Sequence, residues 1–370
     1  MPTMSDVTDL RFWRRRNISK GGNDMGKKIL LGMSGGVDST YAVFELQKQG
    51  FSVEGAVLKM SDSTDVAGAV QAAEALGVPL HVVDCTERFR RIVIEDFISE
   101  YTKARTPNPC VICNRFVKMA ALCEVAASLE IPAVATGHYA RLCRDEKTGR
   151  FYIAKASDIH KDQSYVLWRL SQEQLSMLHF PLERLLKTDI RQKAKDMNLA
   201  AANAPDSQEI CFIPDGDYAS YVESVRGRFP KGFFIDDKGM PLGEHQGIVH
   251  YTIGQRKGLG VSFGHPVFVS AIDAAANTVT LSEESAVFSQ GLLCRSLNFM
   301  KLLPGNYDGL HMQVKIRYSA KPEAATVQIR GDVAQVQFDR PVRAVTPGQS
   351  AVFYQEDEIL FGGIIDISFR

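Results

Sequence analysis

The sequence predicts an α/β protein: a parallel sheet with helices on both faces, then a region of short strands that ends in a small β-barrel. Three observations predict it. A short buried strand, Ile29-Leu30-Leu31, runs through Gly32-Met33-Ser34-Gly35-Gly36-Val37-Asp38-Ser39 into a helix whose apolar residues Tyr41, Val43, Phe44 and Leu46 precede a stop at Gly50. Strand-like and helix-like runs then alternate from Lys28 to about Thr136, the pattern of a parallel sheet. Beyond about Ser289 short runs alternate apolar and polar residues at even spacing, which reads as a barrel.

The first stretch carries the most chemistry. A strand turning through Ser-Gly-Gly into a helix leaves backbone N–H groups aimed at one spot, at the positive end of a helix dipole, and that spot suits phosphate. The glycines let the backbone come close to the anion. No Gly-Lys-Ser/Thr follows, so the loop is not the Walker pattern. Two glycines alone would fit an ordinary turn opening a helix; the complete motif directly after a strand favours the phosphate cradle.

The elements that follow are read in order. Phe51 to Leu58 and Pro79 to Val83 are strand candidates, and Ala133-Val134-Ala135-Thr136 is another short buried strand. Ala67 to Leu76, Phe89 to Lys103 and Phe116 to Leu129 have helical spacing. Ligands of such sheets collect at the carboxyl ends of the strands. The Gly32 loop, Leu58 and Thr136-Gly137-His138 all land there. Leu58 is placed to flank an adenine ring and Gly137 to let a nucleotide approach, although each alone also fits core or turn.

Between the third and fourth strands lies Arg105-Thr106-Pro107-Asn108-Pro109-Cys110-Val111-Ile112-Cys113-Asn114. Its two prolines stop the preceding helix and deliver Cys110 and Cys113 at the mouth of the next one. A helix N-terminus lowers a thiol's pKa, so a reactive thiolate is expected there. Redox, metal and catalytic uses share Cys-x-x-Cys; a zinc site would want a second nearby pair, and the sequence holds none. Cys85, Cys123, Cys143 and Cys294 read as core or surface residues. Cys211 follows Asp206-Ser207-Gln208-Glu209 in a short apolar run, and on local sequence it reads as a buried strand cysteine. Lys161-Asp162-Gln163-Ser164-Tyr165 reads as a polar loop leading into a helix.

From about Asp217 the character changes. Glycine and proline punctuate short strand-like pieces such as Lys231 to Ile235, and Tyr251 to Gly260 is glycine-rich and basic. Val314 to Tyr318, Ala325 to Ile329 and Ala334 to Phe338 alternate. No internal repeat is present. The chain's 370 residues suffice for two or three domains, and 43 basic against 43 acidic side chains give no bulk charge, so a nucleic-acid partner would need a local basic face. No apolar run reaches the ~20 residues of a membrane span. Seven unevenly spaced cysteines without a secretory signal point to a reducing cytosol, hence a cytoplasmic location. Residues 1–25 read as a disordered extension, with Met25 as an alternative start; Asp6 and Asp9 argue against a transit peptide.

Assembled, these residues resemble the bacterial tRNA-specific 2-thiouridylases, members of the PP-loop ATP pyrophosphatase group with an adenine-nucleotide-alpha-hydrolase-like fold. The motifs are Gly-Met-Ser-Gly-Gly-Val-Asp-Ser at 32–39, Arg-Thr-Pro-Asn-Pro at 105–109, Cys113-Asn114, Ala-Thr-Gly-His-Tyr at 135–139 and Lys-Asp-Gln-Ser-Tyr at 161–165. They continue with Ile-Cys-Phe-Ile at 210–213, Gly-Gln-Arg-Lys-Gly-Leu-Gly at 254–260, Arg317-Tyr318 and Thr-Pro-Gly-Gln-Ser-Ala at 346–351. The resemblance implies a PP-loop catalytic domain over 26–216, a small central tRNA-binding domain over 217–285 and a C-terminal β-barrel over 286–370. It implies a monomer that uses ATP with Mg2+ to adenylate the wobble uridine U34 of Lys-, Glu- and Gln-type tRNA, and a persulfide donor, either a cysteine desulfurase or a relay protein. By the resemblance, Gly32, Met33, Ser34, Gly35, Gly36, Val37, Asp38, Ser39, Leu58 and Gly137 bind ATP. Cys113 is the nucleophile and Cys211 carries the persulfide, the two pairing as a disulfide between turnovers. Asn108, Pro109 and Cys110 approach the base; His138, Lys161, Asp162, Gln163, Arg317, Tyr318 and Gln349 contact tRNA.

One position departs from the commonest family pattern, which has Asp where this chain has Cys110. The change makes a three-thiol set of Cys110, Cys113 and Cys211, and three thiolates can hold a [4Fe–4S] cluster with one open iron. The persulfide route needs only Cys113 and Cys211 and is preferred. A different PP-loop synthetase leaves those two thiols unexplained, and a non-catalytic sulfur carrier or RNA-binding protein leaves the intact loop unexplained.

Overall fold

The computed structural model describes residues 27–203, 210–213, 215–261 and 264–370. The expectations for 1–25 and for Asp206 to Glu209 lie outside the described residues.

The apolar run of β1 (Lys27–Gly32) makes it the centre of a parallel sheet, with Ile29, Leu30 and Leu31 wholly buried. Helix α1 (Val37–Lys48) follows and ends before Gly50, whose φ of 85° is the left-handed stop expected of glycine. β2 (Phe51–Lys59) pairs with β1, and α2 (Val66–Ala75) opens where the Asp65 side chain accepts from Gly68 N–H at 2.8 Å. β3 (Leu80–Asp84) completes that side of the sheet.

The two long helices expected next are both interrupted by a π turn. The first runs as α3 (Thr86–Phe89), a π turn at Arg90–Ile94, and α4 (Glu95–Thr102). The second starts earlier than its spacing predicts, at Pro109. It runs as α5 (Pro109–Cys113), a π turn at Asn114–Lys118, and α6 (Met119–Ser128). Proline at the first helical position needs no donor, which explains the early start.

β4 (Val134–Thr136) returns to the other side of β1. A hairpin that the sequence reading missed follows, β5 (Ala140–Arg144) and β6 (Phe151–Lys155), and β6 pairs with the C-terminal sheet. Ser164–Val166 is a single 3-10 turn. Then come α7 (Gln172–Met177), whose Ser171 and Gln174 form a capping box, β7 (Leu178–His179) and α8 (Lys187–Asp196). The parallel sheet has the order β3-β2-β1-β4-β7. The chain winds outward from β1 to β3 and then resumes on the other side at β4. The β1/β4 junction is therefore the switch point at which such sheets hold ligands.

The central region is α9 (Tyr218–Arg226) with a four-stranded sheet of β8 (Gly232–Ile235), β9 (Pro241–His245), β10 (Phe268–Asp273) and β11 (Thr278–Ser282). Its apolar core continues into Phe97, Ile98 and Tyr101 of α4, so it packs on the first domain. The last region holds β12 (Phe288–Phe299), β13 (Tyr307–Lys315), β14 (Glu323–Arg330), β15 (Val333–Arg343), β16 (Ser350–Gln355) and β17 (Glu358–Phe369). These six pair in the order β12-β15-β14-β13-β16-β17, and β12 closes on β17, so the barrel is complete. It is bolted to the first domain by Trp168, whose indole lies where any Cβ on Gly362 would clash and donates to Ser350 Oγ at 2.9 Å. Among the described residues no helix is long and apolar enough to cross a membrane.

Candidate functional site: an anion cradle beside a thiol cluster

The loop after β1 is built by its own side chains. Ser39 Oγ donates to Gly36 O at 3.1 Å and accepts from Ser34 N–H at 3.1 Å, while Thr40 Oγ1 donates to Gly36 O at 2.9 Å. Gly35 has a φ of 78°, and a Cβ there would sit 2.8 Å from Ala69 N, so only glycine fits. No side chain caps α1, which leaves its first amides facing the switch point. Met33 and Val37 are buried in the core, so of the eight motif residues these two offer only backbone.

Asp38 is the anchored member. Its Oδ1 accepts from Tyr139 O–H at 2.7 Å and its Oδ2 takes the Lys187 ammonium at 2.5 Å. Lys187, first residue of α8, is almost wholly buried and is a site residue the sequence reading missed. A lysine opening a polar helix gives no local signal.

Gly137 lies at the same point, and a Cβ on it would be 3.1 Å from Ser39 N. The close packing of α1's first turn against Gly137 is reason enough for glycine there. Leu58, near the end of β2, is partly buried and bridges two apolar clusters, the second of which holds Cys113.

The thiols lie at the same, carboxyl end of the sheet, where Cys113 packs in a cluster with Leu58 of β2 and Val83 of β3. Cys110 is exposed in the first turn of α5. Cys113 ends that five-residue helix and is 5% exposed, among Phe89, Val93 and Val117. The expected low thiol pKa is therefore overturned: burial pushes Cys113 up to about 12, with the charges of Cys211 and Cys110 adding to it. The buried position outweighs the helix end.

Cys211 also departs from expectation, lying exposed in a turn rather than buried in a strand. Its neighbour Phe212 is the anchor, packing edge-on against Phe89 at 5.6 Å and Phe97 at 5.3 Å and against Tyr221 at 5.3 Å. That wedge brings Cys211 into the electrostatic reach of Cys110 and Cys113; desolvation raises its thiol as well. Lys118, at the end of the π turn, acts on Cys113 and Cys211 in the opposite sense. His138 completes this end. Its Nδ1 lies 2.9 Å from Thr136 Oγ1, and burial, helped by the Lys118 charge, pushes it down to about 3, so the ring is neutral at working pH.

The residues expected at the RNA divide into two kinds. Tyr318 is 47% exposed, and Lys315 Nζ lies 5.6 Å from both its ring and that of Tyr165. This cation-backed ring stands open beside Cys110, whose charge it senses. Others hold the framework. Asp162 is buried, accepting from Ala156 N–H at 3.0 Å and Ser164 Oγ at 2.7 Å. Gln163 Oε1 accepts from Tyr139 N–H at 3.0 Å. Gln349 Nε2 donates to Thr106 O at 2.9 Å and Pro107 O at 3.1 Å, pinning the proline loop to the barrel. Arg317 Nη2 donates to Ile253 O, Ala344 O and Thr346 Oγ1, tying the central region to the barrel. Asn108 holds the N-cap position of α5, next to the buried Pro109, without a capping bond, and its side chain reaches the Tyr165 hydroxyl instead. Lys161 is partly exposed on the loop before Asp162.

Three family profiles match the chain: a tRNA methyl transferase HUP domain at residues 27–215, a tRNA methyl transferase PRC-barrel domain at 220–283 and an aminomethyltransferase beta-barrel domain at 289–365. The tRNA-specific 2-thiouridylase MnmA of Clostridioides difficile is 42% identical over 359 residues, covering 93% of this chain and 99% of that protein. Its namesake in Acetivibrio thermocellus is 43% identical over 356 residues, covering 92% and 99%. Among solved structures, a 4-thiouridine synthetase–RNA complex with bound ATP aligns at 20% identity and a TM-score of 0.34, covering 54% of this chain and 50% of that one.

Proposed function

The chain belongs to the tRNA-specific 2-thiouridylase family and is a tRNA sulfurtransferase; from that premise we propose that it activates the wobble uridine of tRNA with ATP and replaces the C2 oxygen by sulfur from a cysteine persulfide. The observation that carries this reading is the meeting of an anion cradle and two thiols from distant segments at one end of one sheet. The profile descriptions speak of methyl transfer, but a pyrophosphate-type loop beside paired thiols suits base activation followed by sulfur transfer.

The C2 oxygen of uridine is a poor leaving group. Its attack on the α-phosphorus of ATP expels pyrophosphate onto the Gly35–Asp38 amides and leaves the oxygen as part of AMP, a good leaving group. The base must leave the anticodon stack to reach the site, which is cheap in a single-stranded loop, and the exposed Tyr318 ring offers a face for it to stack on. The terminal sulfur of a Cys211 persulfide then attacks C2; the S–C bond forms, the C2–O bond breaks and AMP leaves. Cys113 thiolate attacks Cys211 Sγ, the S–S electron pair passes to the product sulfur, and a Cys113–Cys211 disulfide remains for a thiol reductant to reopen. Asp162, Gln163, Arg317 and Gln349 serve by fixing the loops around these residues, while Lys161 and the neutral His138 meet the RNA.

The reading extends to a cytoplasmic monomer acting on Lys-, Glu- and Gln-type tRNA with a desulfurase or relay protein as donor. Magnesium would ride mainly on the ATP phosphates, in keeping with its preference for phosphate ligands. A [4Fe–4S] cluster on Cys110, Cys113 and Cys211 is the alternative; the persulfide route is preferred because it needs only Cys113 and Cys211. No step is routed through one.

The test is reconstitution with ATP, tRNA and a persulfide donor, reading 2-thiouridine by mass spectrometry and AMP release in parallel. Cys113→Ser and Cys211→Ser should each keep adenylation and lose thiolation. Thiolation by either variant at the wild-type rate refutes the assignment.

A further inference from the structure

Two of the thiols that must work as anions are held in surroundings that favour their neutral form. The site therefore needs a cation, and one residue not yet given a role supplies it. We propose that Lys118 belongs to the sulfur-transfer centre, its ammonium acting as counter-ion to the anionic sulfur that passes between Cys211, the activated base and Cys113.

Backbone geometry puts it there. Five residues along a regular α-helix turn the side chain by roughly 140°, which would carry Lys118 away from Cys113. The π turn at Asn114–Lys118, closed by Met119 N–H donating to Asn114 O, spaces its bonds at five residues instead. Lys118 thus stays near the face that carries Cys113, one turn after Cys110. Leu122, four residues on and on the same face, packs where a Cβ on Gly32 would be 3.1 Å from its Cδ1, so this face looks onto the end of β1. The ammonium accordingly acts electrostatically on Cys113, Cys211 and His138.

Its partners are as informative. Lys118 is half-buried, and the charges that act on it are those of Cys113, Cys110 and Cys211, with no carboxylate among them. The groups that face it are Cys110 and Cys113 from its own helix, Cys211 from the Phe212-anchored turn and His138 from the end of β4. His138 is neutral, so the thiols supply the only anions in that set. A partly buried lysine is retained at a desolvation cost where an anion forms near it. In the transfer written above the anion is first the persulfide's terminal sulfur and then the Cys113 thiolate; Lys118 neither gains nor loses a bond or a proton.

The inference rests on the sulfur-transfer reading, and its test separates the two. In the RNA-free protein, alkylation of Cys211 by anionic iodoacetate and neutral iodoacetamide is followed by peptide mass spectrometry. A nearby ammonium favours the anionic reagent, so Lys118→Met should lower the iodoacetate-to-iodoacetamide rate ratio about tenfold, the order a single partly screened charge supplies, and Lys118→Arg should restore most of it. A purely structural role would change both rates together and leave the ratio fixed. In single-turnover assays Lys118→Met should keep adenylation within about twofold and slow thiolation at least tenfold. An unchanged reagent ratio, or thiolation at the wild-type rate, overturns the role of Lys118. Thiolation by Cys211→Ser overturns the underlying reading instead, because the reagent ratio does not depend on it. Should the methionine variant fold poorly, Lys118→Gln carries the same comparison.

Discussion

The Lys187→Met substitution probes the joint between stability and ATP use. The Lys187 ammonium meets Asp38 Oδ2 at 2.5 Å, with side-chain exposures of 7% and 32%. Breaking a fully buried pair by truncating one partner costs about 3–5 kcal/mol, because the surviving charge is stranded. Asp38 is a third exposed and keeps its bond from Tyr139 O–H, so its carboxylate is only partly stranded. Scaling for that leaves roughly 2 kcal/mol, or about 4–8 °C in the melting temperature of a unit this size. Asp38 opens the helix that presents the cradle, so adenylation should fall on the order of a hundredfold as its first turn loses its anchor. Differential scanning fluorimetry and an AMP-release assay read the two effects on one preparation. The double variant Asp38→Asn/Lys187→Met leaves no stranded charge and should lose less stability than the sum of the singles. Additive losses, or a Lys187→Met protein that melts and adenylates like wild type, would refute this reasoning.

Other predictions follow from the same geometry. Gly137→Ala places a Cβ 3.1 Å from Ser39 N and 3.2 Å from Asp38 C, so it should weaken ATP binding and cost about 1–3 kcal/mol; calorimetry reads the first and a urea melt the second. The Cys113 thiol, raised by the fold to about 12 from an ordinary value near 9, should be alkylated at pH 8 far more slowly than the exposed Cys110, by peptide mapping. The sign for stability follows: the folded state holds that proton more tightly, so the contribution is full below about pH 9 and fades as pH rises toward 12, and Cys113→Ala should flatten an alkaline unfolding curve across that window. With 43 basic and 43 acidic residues, tRNA affinity must come from a local face including Lys161, Arg256 and Lys257, so it should fall steeply with salt on a log–log plot; a flat response contradicts that face.

The strand, glycine turn and helix around Gly32–Ser39 were legible because they are consecutive, and local sequence encodes all three. The barrel was legible for the same reason, since β13 to β15 alternate at period two. What escaped were features set by distant packing. The β5–β6 hairpin owes its place to pairing with β17, some two hundred residues on. Cys211 looked like core because Ile210, Phe212 and Ile213 surround it, yet Ile213 takes the buried position, Phe212 packs on Phe89 and Phe97, and the thiol is left exposed. Cys113 looked activated by its helix end, but a cluster from α3 and the following π turns desolvates it. Lys118 and Lys187 carry no local signal, because what makes each notable is the group it meets across the fold.

The central claim, ATP-driven 2-thiolation through a persulfide on two cysteines, is tested most directly by anaerobic purification with iron and sulfide analysis, followed by single-turnover thiolation of tRNA. The account predicts that iron-free protein loaded with persulfide forms one 2-thiouridine per AMP released, and that Cys110→Ser retains much of this activity while Cys113→Ser and Cys211→Ser have none. Activity that rises and falls with bound iron, with all three cysteine variants equally inactive, would contradict it and make Cys110 a cluster ligand.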